Sequence, residues 1–422
     1  MKKLILIMML FSLSILLGSC DRKKGVYYLN FKPEADEAWN NLAKKYEKET
    51  GKKVTVVTAS EGRYEETLTS EMNKSSAPTL FQISGPVGYE TWKDYCLDLT
   101  DTSVYKELTS DDYAIKKNNR VYGIAYVYEG YGLITNKTLL KEAGFNYDEI
   151  TSFDKLKEVA KSITSRKSEL GFGAFSSSGL DGSSSWRYSG HLTNVPLFYE
   201  FTEDNITTQP ATIKGTYIPN MKNVWDLYIE NTYNVSPVSL TGTSIDTSRN
   251  EFLDKKAVFY QNGTWEYSNV SKILKDEEIG FLPIYLGVDD KNQGLCSGTE
   301  NYWAVNKEAS PEAIDETLEF LYWVVTNKEG VSSLANDMGY VSPFKKALVS
   351  NNILYKYIDE ANKAGKTNIN WLFTYTPNVE IWRNGVVDSL AAYSANQTTE
   401  NWNNVNKKIV DGWAEQYRLS HQ

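Results

Sequence analysis

Histidine is nearly missing from this chain. It has two in 422 residues, His191 and His421, and they are far apart. Three cysteines stand beside them, and with Cys20 set aside for lipidation, as the residues before it suggest, no Cys/His cluster is left for a zinc site; no metal or cofactor is expected. No Gly-x-Ser-x-Gly elbow and no phosphate-cradling P-loop occurs, so neither chemistry has its local signature. His191, standing alone, reads as a hydrogen-bonded structural residue rather than a base. Lysine and arginine (45) are outnumbered by aspartate and glutamate (54), and no basic stripe runs along any segment, which argues against nucleic acid as a partner. Proline is scarce at 11. A pair of carboxylates facing each other across a cleft would be enough for a glycosidase, and that alternative stays open in so acidic a chain. A binder of peptides or polyamines is a second alternative.

The N-terminus carries an address. Lys2-Lys3 precede an apolar run from Leu4 to Leu17, shorter than the ~20 residues that span a bilayer. The run ends in Leu17-Gly18-Ser19-Cys20, which resembles the lipobox of bacterial lipoproteins. In that pattern residues 1–19 are a signal peptide, Cys20 is lipidated, and residues 20–25 form a tether. Two or three acyl chains hold stably where one does not, so a location outside the cell and anchored to its membrane is expected. Losing Lys2 and Lys3 makes a chain of net charge −9 more negative still, so the lipid rather than charge must hold the body at the surface. Cys96 and Cys296 remain, and whether they pair is left open.

Along the chain, strand and helix signals alternate. Val26 to Asn30 reads as a strand, and a helix opens at Pro33-Glu34 with Ala35, Ala38, Trp39, Leu42, Ala43 and Tyr46 on one stripe, stopping at Gly51. Strands at 52–59 and 77–84 flank a helix from Tyr64 to Lys74, a pattern that implies a parallel sheet. Helices are expected near 153–166 and 219–231, a Ser/Gly-rich loop at 176–186, and a strand from Ala257 that should turn at Asn262-Gly263. Another strand (301–306) and a helix from Pro311 follow, then a helical tail with Trp371, Trp382, Trp402 and Trp413. The length and the break in strand supply near residue 130 favour two α/β lobes over one.

Aromatic residues are abundant, with 29 Tyr and 11 Trp. Several stand beside single polar groups at the ends of expected strands: "NGTWEYSN" (262–269), "YVYEGYG" (126–132), "GTENYW" (298–303), "SSWRYSGH" (184–191) and "VEIWRNG" (379–385). A pyranose explains the combination, because its C–H face packs on a ring while its hydroxyl rim seeks carboxylate, amide and guanidinium groups. On this chemistry Trp265 and Trp382 are candidate platforms. Glu129, Arg187, Glu300 and Asn301 are candidate partners of the hydroxyls, and Trp186, beside Arg187, is a further candidate ligand contact.

"AWNNLAKKYEKETGKKVTVV", "APTLFQISGPVGY", "YGIAYVYEGYGLITNKTLLKEAG", "FYQNGTWEYSN" and "YWAVNKEASPEAIDETLEFLYWVV" together resemble, in order, the extracellular solute-binding proteins of carbohydrate ABC transporters, of the maltose-binding type. The resemblance implies two α/β lobes joined by hinge segments, with a sugar cleft between them and docking onto permease subunits. It implies a monomer with no enzymatic activity. It places Trp265 at a stacking tryptophan, Glu129 at a cleft-facing glutamate, Trp382 at another stacking tryptophan, and Lys32 in a sugar-contacting loop. Gln82 departs from the family's pattern but could still meet a hydroxyl. Lobe 1 is expected over 26–128 and 298–342, and lobe 2 over 129–297 and 343–422.

Overall fold

The computed structural model describes residues 25–422, so the leader, Cys20 and most of the tether lie outside it. Among the described residues, twelve strands form two six-stranded sheets. The first has the order β2 (Val54–Thr58), β1 (Val26–Asn30), β3 (Leu80–Ser84), β11 (Asn301–Val305), β5 (Arg120–Ala125), β4 (Ala114–Lys117). β1 pairs in parallel with β2 and β3, as the strand–helix–strand pattern requires, while β11 enters antiparallel to β3. The second sheet runs β12 (Thr367–Asn370), β10 (Gln293–Gly298), β6 (Glu129–Asn136), β8 (Ala257–Gly263), β7 (Gly173–Phe175), with β9 (Ile279–Leu282) also on β6.

The helices pack as their periodicity directs. In Asp36–Thr50 the buried residues are Trp39, Leu42, Ala43 and Tyr46, and the helix ends at Gly51 with φ 74°, a left-handed cap that suits glycine. Ser152 and Ser310 cap the helices Phe153–Ser165 and Pro311–Thr326 by accepting from backbone N–H groups three residues on. Among the described residues no helix is long and apolar enough to cross a membrane. Both cysteines are free and buried: Cys96 packs with Phe81 and Ala304 of the first sheet, Cys296 with Ile369 of the second.

The chain passes between the sheets side by side with itself. Residues 126–128 join β5 to β6, and 299–300 join β10 to β11. The Thr299 hydroxyl donates to the Val127 carbonyl at 3.0 Å, and Tyr128 N–H donates to the Val341 carbonyl at 2.8 Å. Glu129 and Glu300 therefore sit where the strands cross.

The turn expected at Asn262-Gly263 is absent. β8 runs through Gly263, which is extended and pairs with Tyr131. A helical turn then begins at Thr264. Glycine is required here for room: a Cβ on Gly263 would lie 2.3 Å from the Trp265 indole, which folds back across the strand end.

Candidate functional site

The site begins with Asn30, at the end of β1. Its side chain donates to the Lys32 carbonyl at 2.7 Å and accepts from Lys32 N–H at 3.1 Å, folding the loop so that Lys32 leaves the first sheet. The Lys32 ammonium meets both carboxylate oxygens of Glu129 at 2.8 Å and Glu34 at 3.6 Å. It also stands 5.8 Å from the centre of the Trp265 ring. Trp265 is half-buried, as is Trp186 beside it at 5.9 Å, and His191 lies 5.5 Å from Trp265. Trp371 and Phe373 pack against His191 from the segment after β12.

A second pair of groups closes one flank. Arg249, on the helix Ile245–Leu253, is gripped by Glu266 at 2.8 and 3.0 Å and by Asp246 at 2.5 Å, and reaches Glu61 of the first sheet's side at 3.8 Å. On the other flank Arg383 comes within 4.0 Å of Glu300. Next to Glu61, a Cβ on Gly62 would lie 2.1 Å from the Gly182 carbonyl, so the two rims touch. The arrangement is a closed cleft lined by rings and by charges that largely satisfy one another.

A family model for bacterial extracellular solute-binding proteins matches residues 41–364, most of the chain. The chain belongs to that family. The maltotriose-binding protein of Pyrococcus abyssi is 24% identical over 260 residues, 59% of this chain and 50% of that protein; the chain spans about half the length of the curated relative it matches. Among solved structures it resembles RafE in complex with raffinose (TM-score 0.72, 16% identity, 92% of this chain and 99% of that one). It also resembles a chitin oligosaccharide binding protein (TM-score 0.70, 13% identity, 93% and 99%). At such identities the likeness shows the fold, which is the two-lobed one.

Electrostatics in this solute-binding protein follow from burial. Burial alone would lower the pKa of Lys32, but the charges of Glu129 and Glu34 outweigh it and the pKa rises. Burial pushes Glu61 up to about 7, against the pull of Arg249, and it raises Glu34 and Glu300 as well. The Glu34 side chain is 20% accessible.

The candidate residues divide. Trp265, Trp186, Lys32 and Glu129 are brought together; Glu300, where the chain crosses between the sheets, meets Arg383, and its charge also acts on Lys32. Asn301 is buried in β11, with its side-chain nitrogen unpaired. Three expectations are corrected. Trp382 is a core residue: its indole donates to the Ile409 carbonyl at 3.0 Å and meets Trp413 edge-on at 6.0 Å, between two helices of the tail. Arg187 is fully buried and donates from its two terminal nitrogens to Gln261 O, Ser184 Oγ and Ser248 Oγ, so it ties its own turn to β8, with only Nε unpaired. Gln82 accepts from Phe31 N–H at 2.6 Å and donates to Tyr126; it shapes the Lys32 loop instead of meeting solute.

Sequence reasoning missed Glu34, Glu61, Arg249, Glu266 and Trp371, and gave His191 only a structural role. Glu266 lay inside "NGTWEYSN" itself, directly after Trp265. Glu61 and Arg249 are 188 positions apart in numbering and meet only through the tertiary fold, so no local pattern marks them.

Proposed function

We propose that this chain is a lipid-anchored receptor that captures a carbohydrate, an oligosaccharide, between its lobes and delivers it to the permease subunits of an ABC importer. The observation that carries this reading is the Trp265 indole. It lies across Gly263, half-open, beside the Lys32–Glu129 pair, and Lys32 reaches it from the first sheet. A sugar ring needs both elements, an aromatic face below and charged hydrogen-bonding groups at its rim.

Trp265 and Trp186 serve as the platform, and Lys32, Glu129, Glu300 and Asn301 as partners of the hydroxyls. Relatives named for maltotriose, raffinose and chitin oligosaccharides support the solute class. The division of the strands into two sheets supports lobes over 26–128 with 298–342 and 129–297 with 343–422. Ligand touching both lobes favours the closed state over the open one, and this differential contact drives closure. The LGSC sequence supports lipidation at Cys20, and the receptor acts as a monomer. Calorimetry of residues 21–422 against raffinose, maltotriose and a chitin oligosaccharide tests the reading; no heat and no fluorescence change with any sugar rejects it.

A further inference from the structure

His191 is the side chain that the platform-and-rim account leaves without a task. It lies on the wide π-type turn Arg187–Leu192, a local irregularity often found at functional sites. It is 5% exposed. Tyr131 stacks on its ring at 4.0 Å and 6°, and Trp371 lies at 6.1 Å and 27°. Trp186, Phe373 and Trp265 stand at 5.0, 5.3 and 5.5 Å. Tyr131 also donates from its hydroxyl to the His191 carbonyl at 3.2 Å, so ring and backbone are both fixed.

Its ring nitrogens, in contrast, are hydrogen-bonded to no protein group among the described residues, although the residue is buried. A polar ring enclosed this tightly is normally paired. Burial, then the charges of Arg383, Arg187 and Lys32, hold its pKa well below the usual histidine range, so it stays neutral. A neutral imidazole presents one donor and one acceptor in fixed directions. A sugar hydroxyl is likewise both donor and acceptor.

We propose that His191 is a ligand contact: clamped by Tyr131 between the platform tryptophans and Trp371, its imidazole exchanges hydrogen bonds with hydroxyls of the bound sugar. The inference rests on the sugar reading above. It gives the cleft a specificity element, because an epimer that fails to reach the imidazole leaves a nitrogen unpaired in a site closed to water.

The chain has two histidines, so its imidazole nitrogen spectrum is simple, and His421→Gln removes the second set of signals. Nitrogen-15 spectra of residues 21–422 are recorded with raffinose, maltotriose and a chitin oligosaccharide, while tryptophan fluorescence reports cleft occupancy. A sugar that changes the fluorescence is expected to move the His191 nitrogen signals and leave those of His421 in place. His191→Phe, which keeps the stack on Tyr131, weakens that sugar about tenfold, and His191→Gln restores part of the loss. A sugar that binds without moving the His191 signals overturns the proposal, as does unchanged affinity in a folded His191→Phe. If no sugar alters fluorescence or produces heat, the sugar reading itself fails and His191 loses its role with it.

Discussion

The Lys32 ammonium sits 2.8 Å from both carboxylate oxygens of Glu129, although one residue follows a strand of the first sheet and the other opens a strand of the second. Both side chains are about 5% accessible or less. The pair therefore ties the two sheets together through a buried contact.

Removing one partner leaves the other charge buried. In a rigid core that costs on the order of 3–5 kcal/mol. Here the cleft can open and rehydrate the orphan, so the loss should appear in ligand affinity more than in folding. Lys32→Met and Glu129→Gln are each expected to weaken sugar binding at least about tenfold. The double variant should be weakened less than the two single losses combined, because the pair acts as a unit. Calorimetric titration of the four proteins checks this; simple additivity contradicts it.

Closing the cleft should take up protons. Burial raises Glu61 from the ordinary 4.5 to about 7. An acid whose pKa is higher when closed binds more protons in that state, so closure is unpenalised below pH 4.5, loses support as pH rises from there to about 7, and loses no more above it. Sugar affinity is then expected to fall between pH 5 and pH 7.5, with proton uptake seen as a buffer-dependent binding heat. Glu61→Gln should weaken that dependence without abolishing it, because burial also raises Glu34 and Glu300 in the same site. Glu65, also raised to about 7, is hydrogen-bonded to Trp92 on the first sheet's own side, so it acts on folding in either state.

Gly263 keeps the platform in place. Its backbone is extended, so alanine brings no backbone strain, but the new methyl would lie 2.3 Å from the Trp265 ring. Overpacking of this kind costs roughly 1–3 kcal/mol if the ring stays, and the half-open indole can move instead. Gly263→Ala should shift tryptophan emission, weaken sugar binding and change the melting temperature little. A variant that binds as tightly as the parent would place the ligand elsewhere.

Trp382 provides the contrast. Its burial against Trp413 predicts that Trp382→Ala costs about 3–5 kcal/mol of stability. At a temperature where it remains folded, its sugar affinity should match the parent's. Denaturant melts and calorimetry at that temperature separate the two effects; a large loss of affinity in a folded protein would restore it as a platform.

Much of the fold was legible because apolar spacing reports burial directly. The stripe Trp39, Leu42, Ala43, Tyr46 and the stop at Gly51 came through as expected. Asn262-Gly263 misled because local turn chemistry was outweighed by pairing with Gly132 and Tyr131 on β6. The glycine answers a steric demand from a ring two residues on. At the site, Trp265, Lys32 and Glu129 were legible as chemistry beside strand ends. Arg187 was not, since its acceptors Ser248 and Gln261 lie 61 and 74 residues away and nothing near it announces them. Trp382 looked like a platform because a tryptophan beside an arginine says nothing about which helix face it occupies.

The central claim is that a sugar lies on Trp265 inside this cleft. Calorimetry of residues 21–422 and of Trp265→Ala against raffinose, maltotriose and a chitin oligosaccharide tests it most directly. The account predicts that at least one sugar binds the parent and that Trp265→Ala weakens it about tenfold or more, as expected for losing a stacked face and its buried area. Equal affinity in the two proteins, or no sugar bound by either, contradicts it.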